Sequence, residues 1–102
     1  MKVGFTPSAT RQLAAIAQYL TERNPDAARR VGARIREVIE LLADFPQIGH
    51  SGTLKGTREI VIPGLPYIIV YRSEPGRDAL VILGVYHGAQ LRPDSKTRTF
   101  DL

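Results

Sequence analysis

Residues 57–88 read TREIVIPGLPYIIVYRSEPGRDALVILGVYHG, three β-rich runs joined by two turn signals and closed by His-Gly. The first run, Glu59-Ile60-Val61-Ile62, stops at Pro63-Gly64-Leu65-Pro66, because proline lacks a ladder donor and glycine permits the tight turn. The second, Tyr67-Ile68-Ile69-Val70-Tyr71-Arg72, is almost wholly β-branched or aromatic, so it reads as a central strand packed on both faces. It ends in the turn formers Ser73-Glu74-Pro75-Gly76-Arg77-Asp78. Leu80 to Leu83 with Val85-Tyr86 make the third, and Gly84 inside it marks a bulge or a close backbone approach. The expectation is an antiparallel meander with its polar groups at the strand ends. Arg58 and Arg72 should lie toward one end of the sheet, and His87 is expected to join them there.

Upstream, Lys2-Val3-Gly4-Phe5 is a short strand with Val3 and Phe5 on one face. Thr6-Pro7 opens a helix as N-cap and first-turn proline, with Ala9, Leu13, Ile16, Ala17 and Leu20 as its apolar stripe and Arg11, Gln12, Gln18 and Glu22 outward. Asn24-Pro25-Asp26 repeats the punctuation and opens a second helix, whose inner positions are Ala28, Val31, Ile35, Val38, Leu42 and Phe45. Its outer face carries Arg29, Arg30, Arg34 and Arg36 with Glu37 and Glu40, spaced for Arg34–Glu37 and Arg36–Glu40 pairs, which reads as a solvated face. So short a connection predicts an antiparallel helix hairpin lying on the sheet. Residues 47–57 read as a glycine-dense loop and 95–102 as a polar tail. The fold class is therefore α+β: an N-terminal strand, an antiparallel helix hairpin, then a three-stranded antiparallel meander.

The length of 102 residues suits one domain, 1–102, since a domain closes its core at about 100 to 150 residues. With 43% hydrophobic and 24% charged residues the composition is that of a globular protein, neither disordered nor membrane-embedded. No apolar signal region opens the chain and it contains no cysteine, so a cytoplasmic location without disulfides or thiolate metal sites is expected. A net charge of +4 favours a polyanionic or acidic partner.

No metal site is expected, because His50 and His87 lack ligand spacing and neighbouring carboxylates, and no cofactor motif is present. The glycines at 49, 52 and 56 are not followed by the Lys-Ser/Thr and helix start of a phosphate loop. The remaining candidates for contacting a target are Arg58, Arg72, Tyr86, His87 and Arg92. For ribonucleolytic chemistry His87 would be base or acid, an arginine such as Arg58 the phosphate clamp, and Tyr86 a stacking surface. The alternatives are structural: His87 capping the sheet end, and Arg58 paired with Glu59 or Glu74. Tyr71 reads as a core residue with its hydroxyl at the rim.

The element order, with Pro46-Gln47-Ile48-Gly49, Gly56-Thr57-Arg58-Glu59, Pro66 to Arg72 and Val85-Tyr86-His87-Gly88-Ala89, resembles the ParE/RelE toxin superfamily of bacterial type II toxin–antitoxin modules over nearly the whole chain. The sequence is more similar to the ParE branch, whose characterised members poison DNA gyrase, than to the RelE branch, which cleaves messenger RNA on the ribosome. The basic catalytic positions of the ribonuclease branch fall at Glu59, Val61, Ile68 and Gly88, none of which is basic. An acid, two aliphatics and a glycine do not neutralise a pentacovalent phosphate. One ribonuclease-active relative carries His-Tyr near this strand end where this chain has Tyr86-His87, which keeps His87 open as a candidate. The resemblance implies a gyrase-binding toxin without covalent chemistry of its own, the alternative being a ribosome-dependent endoribonuclease. It also implies a cognate ParD-like antitoxin whose acidic segment folds on the helix hairpin and a sheet edge, and whose other end binds DNA, so that the toxin meets DNA only indirectly.

Overall fold

The computed structural model describes residues 1–52 and 54–88. In chain order its elements are β1 (Lys2–Phe5), α1 (Pro7–Arg23), α2 (Pro25–Asp44), β2 (His50–Ser51), β3 (Arg58–Val61), β4 (Tyr67–Glu74), a single 3-10 turn (Pro75–Arg77) and β5 (Ala79–His87). They build one sheet of order β1-β5-β4-β3-β2 beneath two helices.

The expected meander is β3-β4-β5, antiparallel throughout. Its middle strand is the central strand of the sheet, with Tyr67 through Tyr71 all buried. Two features extend the meander. β1 lies parallel beside β5, Lys2 opposite Ala79 and Phe5 opposite Ile82, and β2 pairs antiparallel with β3 at the other edge. β2 lies within the stretch expected to be a loop, because two residues are too few to display a period.

Asn24 both ends α1 and begins α2. Its backbone N–H donates to the Leu20 carbonyl at 2.6 Å, and its side-chain oxygen accepts from Ala27 N at 3.1 Å. Thr6 caps α1 in the same way, accepting from Ala9 N at 3.1 Å. Its hydroxyl also donates to the Leu83 carbonyl at 2.9 Å. That carbonyl is available because Leu83 is the extra residue of a bulge: Val70 faces Gly84 and Tyr71 faces Ile82. Ala9, fully buried, has only a methyl group between α1 and β5, which lets the two approach closely. Gln12, read as outward, turns inward instead and accepts from Val85 N at 2.8 Å, beyond the point where β1 stops pairing with β5. A buried strand donor without a strand partner requires such a side chain.

The core joins Ala9, Ile35, Val38, Ile39 and Leu42 of the helices to Ile62, Tyr67, Ile69, Tyr71, Leu80, Ile82 and Val85. Other stripe residues stand outside it. Leu13, Ile16, Leu20, Ala28 and Val31 are half-buried and Ala17 is exposed. Phe45 is 56% exposed where burial was expected, since α2 ends at Asp44 and the chain turns away. Val3 and Phe5 do share the helix-facing side, but at the sheet margin, where both remain exposed.

Tyr71 is fully buried, and its hydroxyl is not at the rim. It donates to the Pro46 carbonyl at 2.7 Å and accepts from Gly49 N at 2.9 Å, pinning the Pro46–Gly49 segment to the central strand. A Cβ on Gly49 would stand 2.4 Å from that hydroxyl and 2.8 Å from the Glu59 carbonyl, so only glycine fits. Gly84 is constrained likewise by the ring of Tyr86, whose edge would lie 2.4 Å from an added Cβ.

Gly49→Ala is expected to destabilise the protein by about 2 to 3 kcal/mol through this overpacking. Gly32→Ala, in α2 with nothing within 4 Å of an added Cβ, should stabilise it by about 0.5 to 1 kcal/mol. Guanidinium unfolding of the two variants checks both signs.

Candidate functional site

Strand alternation divides the residues of interest between two faces. Tyr67, Ile69 and Tyr71 point to the helices, together with their opposite numbers Arg58, Ile60, Val85 and His87. Glu59, Val61, Ile68, Val70, Arg72, Gly84 and Tyr86 belong to the far face. Of the four positions where the resemblance would put ribonuclease cations, Glu59, Val61 and Ile68 thus share one face. There Glu59 and Ile68 are buried, at 2% and 8% exposure, and Val61 is 55% exposed.

Arg58 does not pair with Glu59 or Glu74. Its guanidinium donates to the Gly49 carbonyl at 2.8 Å and the Gln47 carbonyl at 3.4 Å, holding the segment that Tyr71 also holds. Glu74 is occupied by Arg72 at 2.8 Å, with Arg77 at 3.8 Å. Arg34 pairs with Glu37 as its spacing implied. Tyr86 is 8% exposed and folded over Gly84, which makes it a packing residue rather than an open stacking surface.

His87 is exposed and stands opposite Tyr67, ring centroids 5.7 Å apart and planes at 88°. It does not join Arg58 and Arg72. In an antiparallel meander the first and third strands run the same way, so the end of β5 lies with the end of β3, not with its start. Five residue steps along β4 lead from the Tyr67–His87 rung to Arg72, roughly 16 Å at about 3.3 Å per residue. The structure therefore brings Arg58 and Arg72 to one end, on opposite faces, and leaves His87 at the other; Arg92 lies outside the described residues.

Among the described residues, surface depressions accompany these side chains. A groove of about 190 Å³ runs between the helices, lined by Leu13, Ile16, Leu20, Val31, Gly32 and Ile35 among others. It adjoins one of about 360 Å³ where Val3 and Phe5 meet Gly32, Ile35 and Ile39, with Arg36 and Glu40 at its lining. The third, about 320 Å³, is walled by Ala15, Ile16, Tyr19, Tyr67 and His87. The sequence reading passed over Tyr19. Its signal was an aromatic ring one helical position off the Ile16–Leu20 stripe, and it is 55% exposed. No group of three or more potential metal ligands occurs among the described residues, and no described helix is long and apolar enough to cross a membrane.

Burial raises the Tyr71 hydroxyl above the ordinary 10.0, opposed by the Gly49 hydrogen bond and the Arg58 charge. With the folded pKa above the unfolded one, the stabilisation is complete below pH 10 and is lost as pH rises through the folded value. Tyr71→Phe leaves Gly49 N and the Pro46 carbonyl without the hydroxyl, at a cost of about 1 to 3 kcal/mol. It should also flatten the loss of stability above pH 10. Denaturant unfolding across that range reads both effects.

Residues 3–92 match the family model described as ParE toxin of type II toxin-antitoxin system, parDE. A candidate toxin, Y4kP of Sinorhizobium fredii, is 42% identical over 92 residues, 90% of this chain and 93% of the relative. Toxin RelE2 of Caulobacter vibrioides is 31% identical over 90 residues, 88% and 98% of the two chains. Among solved structures, the chromosomal ParDE system of P. aeruginosa superposes with TM-score 0.73 at 20% identity, covering 85% of this chain and 95% of that one. The toxin–antitoxin complex RelBE of E. coli gives 0.60 at 11% identity, covering 87% and 98%. At such identities the likeness is one of fold.

Proposed function

Since this chain belongs to the ParE toxin family of type II toxin–antitoxin systems, we propose that it acts in the cytoplasm by binding DNA gyrase and trapping it on cut DNA, without covalent chemistry of its own. The observation that supports this reading is the sheet face opposite the helices. Where a ribonuclease of this superfamily would set cations around a phosphate, Glu59, Val61 and Ile68 offer a carboxylate and two aliphatic side chains. A carboxylate opposes the charge that grows on a phosphorane. The two arginines nearest that face's other end are committed, Arg72 to Glu74 and Arg58 to loop carbonyls. His87 lies too far along the sheet to act with either.

The helix hairpin supports a reading of the partner. The two adjoining grooves form one apolar track across α1, α2 and the β1 margin, with Gly32 at their junction. An amphipathic helix of a ParD-like antitoxin fits such a track, and acidic residues on it complement the net charge of +4. Gly32, with open space around it, is where that helix comes closest.

Purified protein added to gyrase and relaxed plasmid should block supercoiling and accumulate linear DNA, and antitoxin should reverse both. Unaffected gyrase together with ribosome-dependent cleavage of transcripts, lost in His87→Gln, would transfer the activity to the ribonuclease reading. Gly32→Phe should fold, stay toxic to growing cells, and bind the antitoxin at least about tenfold more weakly, because its ring fills the track. Calorimetric titration against the antitoxin measures that loss.

A further inference from the structure

The pocket at the His87 end of the sheet meets the helix-hairpin track at Ile16 and lies away from the far face. α1 supplies Ala15, Ile16 and Tyr19, β4 supplies Tyr67 and β5 supplies His87. Its floor is aliphatic and its walls are three aromatic rings. Tyr67, 8% exposed within the core, is a fixed wall against which the His87 ring stands edge to face. Tyr19, in contrast, is 55% exposed on a helix surface. A guanidinium is stacked on it: Arg23 Cζ lies 3.7 Å from the ring centroid, steadied by its bond to the Tyr19 carbonyl at 3.1 Å. A cation is thereby held beside the aromatic cluster.

We propose that this pocket takes one unstacked nucleobase of a single-stranded nucleic acid, with Arg23 meeting the adjoining phosphate. Its volume of about 320 Å³ lies at the small end of ligand sites. Duplex bases are stacked and out of reach, so the strand must be single or frayed. The two tyrosines combine ring faces for stacking with hydroxyls for the base edge, and the His87 ring adds a third aromatic wall. The net charge of +4 and the placed guanidinium favour a polyanion over a neutral aromatic peptide. The inference is independent of the gyrase reading, since strand ends at cut DNA and messenger RNA both present such bases.

The test is fluorescence anisotropy of the full chain with a short labelled single strand of mixed sequence, its abasic counterpart, and the matching duplex. The base-bearing strand should bind at least about tenfold more tightly than either control. Tyr19→Ala and His87→Ala should each weaken it about tenfold, while Tyr19→Phe stays within about twofold. Arg23→Gln should lower the slope of log affinity against log salt by about 0.7. Tyr19 and His87 are both exposed, and unchanged thermal melts of these variants confirm that the fold persists. Equal binding of the abasic strand, wild-type affinity in Tyr19→Ala, or displacement by a tyrosine-bearing peptide in preference to the oligonucleotide would overturn the proposal.

Discussion

The burial of β4 on both faces is the constraint from which the rest of the architecture follows. Five consecutive residues, Tyr67 to Tyr71, have almost no contact with water. Every backbone donor and acceptor among them must then be met by a neighbouring strand, which puts β3 on one side and β5 on the other. The hairpin of helices covers the face that bears Tyr67, Ile69 and Tyr71, and β5 imposes in turn its own need for partners. β1 meets that need as far as Ile82; past it, Thr6 and Gln12 of α1 supply side-chain bonds to Leu83 and Val85. The bulge at Leu83 and the inward turn of Gln12 are two answers to one accounting problem.

Tyr71 couples this core to the surface. A tyrosine in the innermost strand carries a hydroxyl that must be satisfied, and the chain satisfies it with backbone from the segment after α2. Arg58, its cross-strand neighbour, spends its guanidinium on the same segment. The Pro46–Gly49 run thus behaves as part of the sheet's scaffold although it has no regular structure of its own. An arginine that reads in isolation as a phosphate clamp is here a structural donor to carbonyl oxygens.

The functional surfaces sort by sheet direction. Because β3 and β5 run parallel to one another, the cationic strand ends and the His87 strand end are kept apart, and the aromatic cluster with Tyr19 is built at the end where α1 overhangs the sheet. The hairpin track lies on the helix side and Glu59, Val61 and Ile68 on the far side. The helix-side track is apolar, the far face buries the Glu59 carboxylate, and the His87 end is aromatic, so three regions of different chemistry stand on one small fold.

What the sequence determined by itself is what depends on near neighbours: both helices through Thr6-Pro7 and Asn24-Pro25, the three long strands through β-branched runs bounded by proline and glycine, and the close approach or bulge at Gly84. The motif set also carried the toxin family, since its residues are the ones this packing requires, Gly49 against Tyr71 above all. Pairings of residues far apart in the chain carry no such local signal. The parallel seat of β1, the two-residue β2, the commitment of Arg58 to carbonyls 9 and 11 residues away, and the placing of His87 beside Tyr67 and Tyr19 are long-range contacts. Local propensity has no term for them. Strand direction and the obligation to pair every buried polar group determine them, and both exist only once the chain has closed on itself.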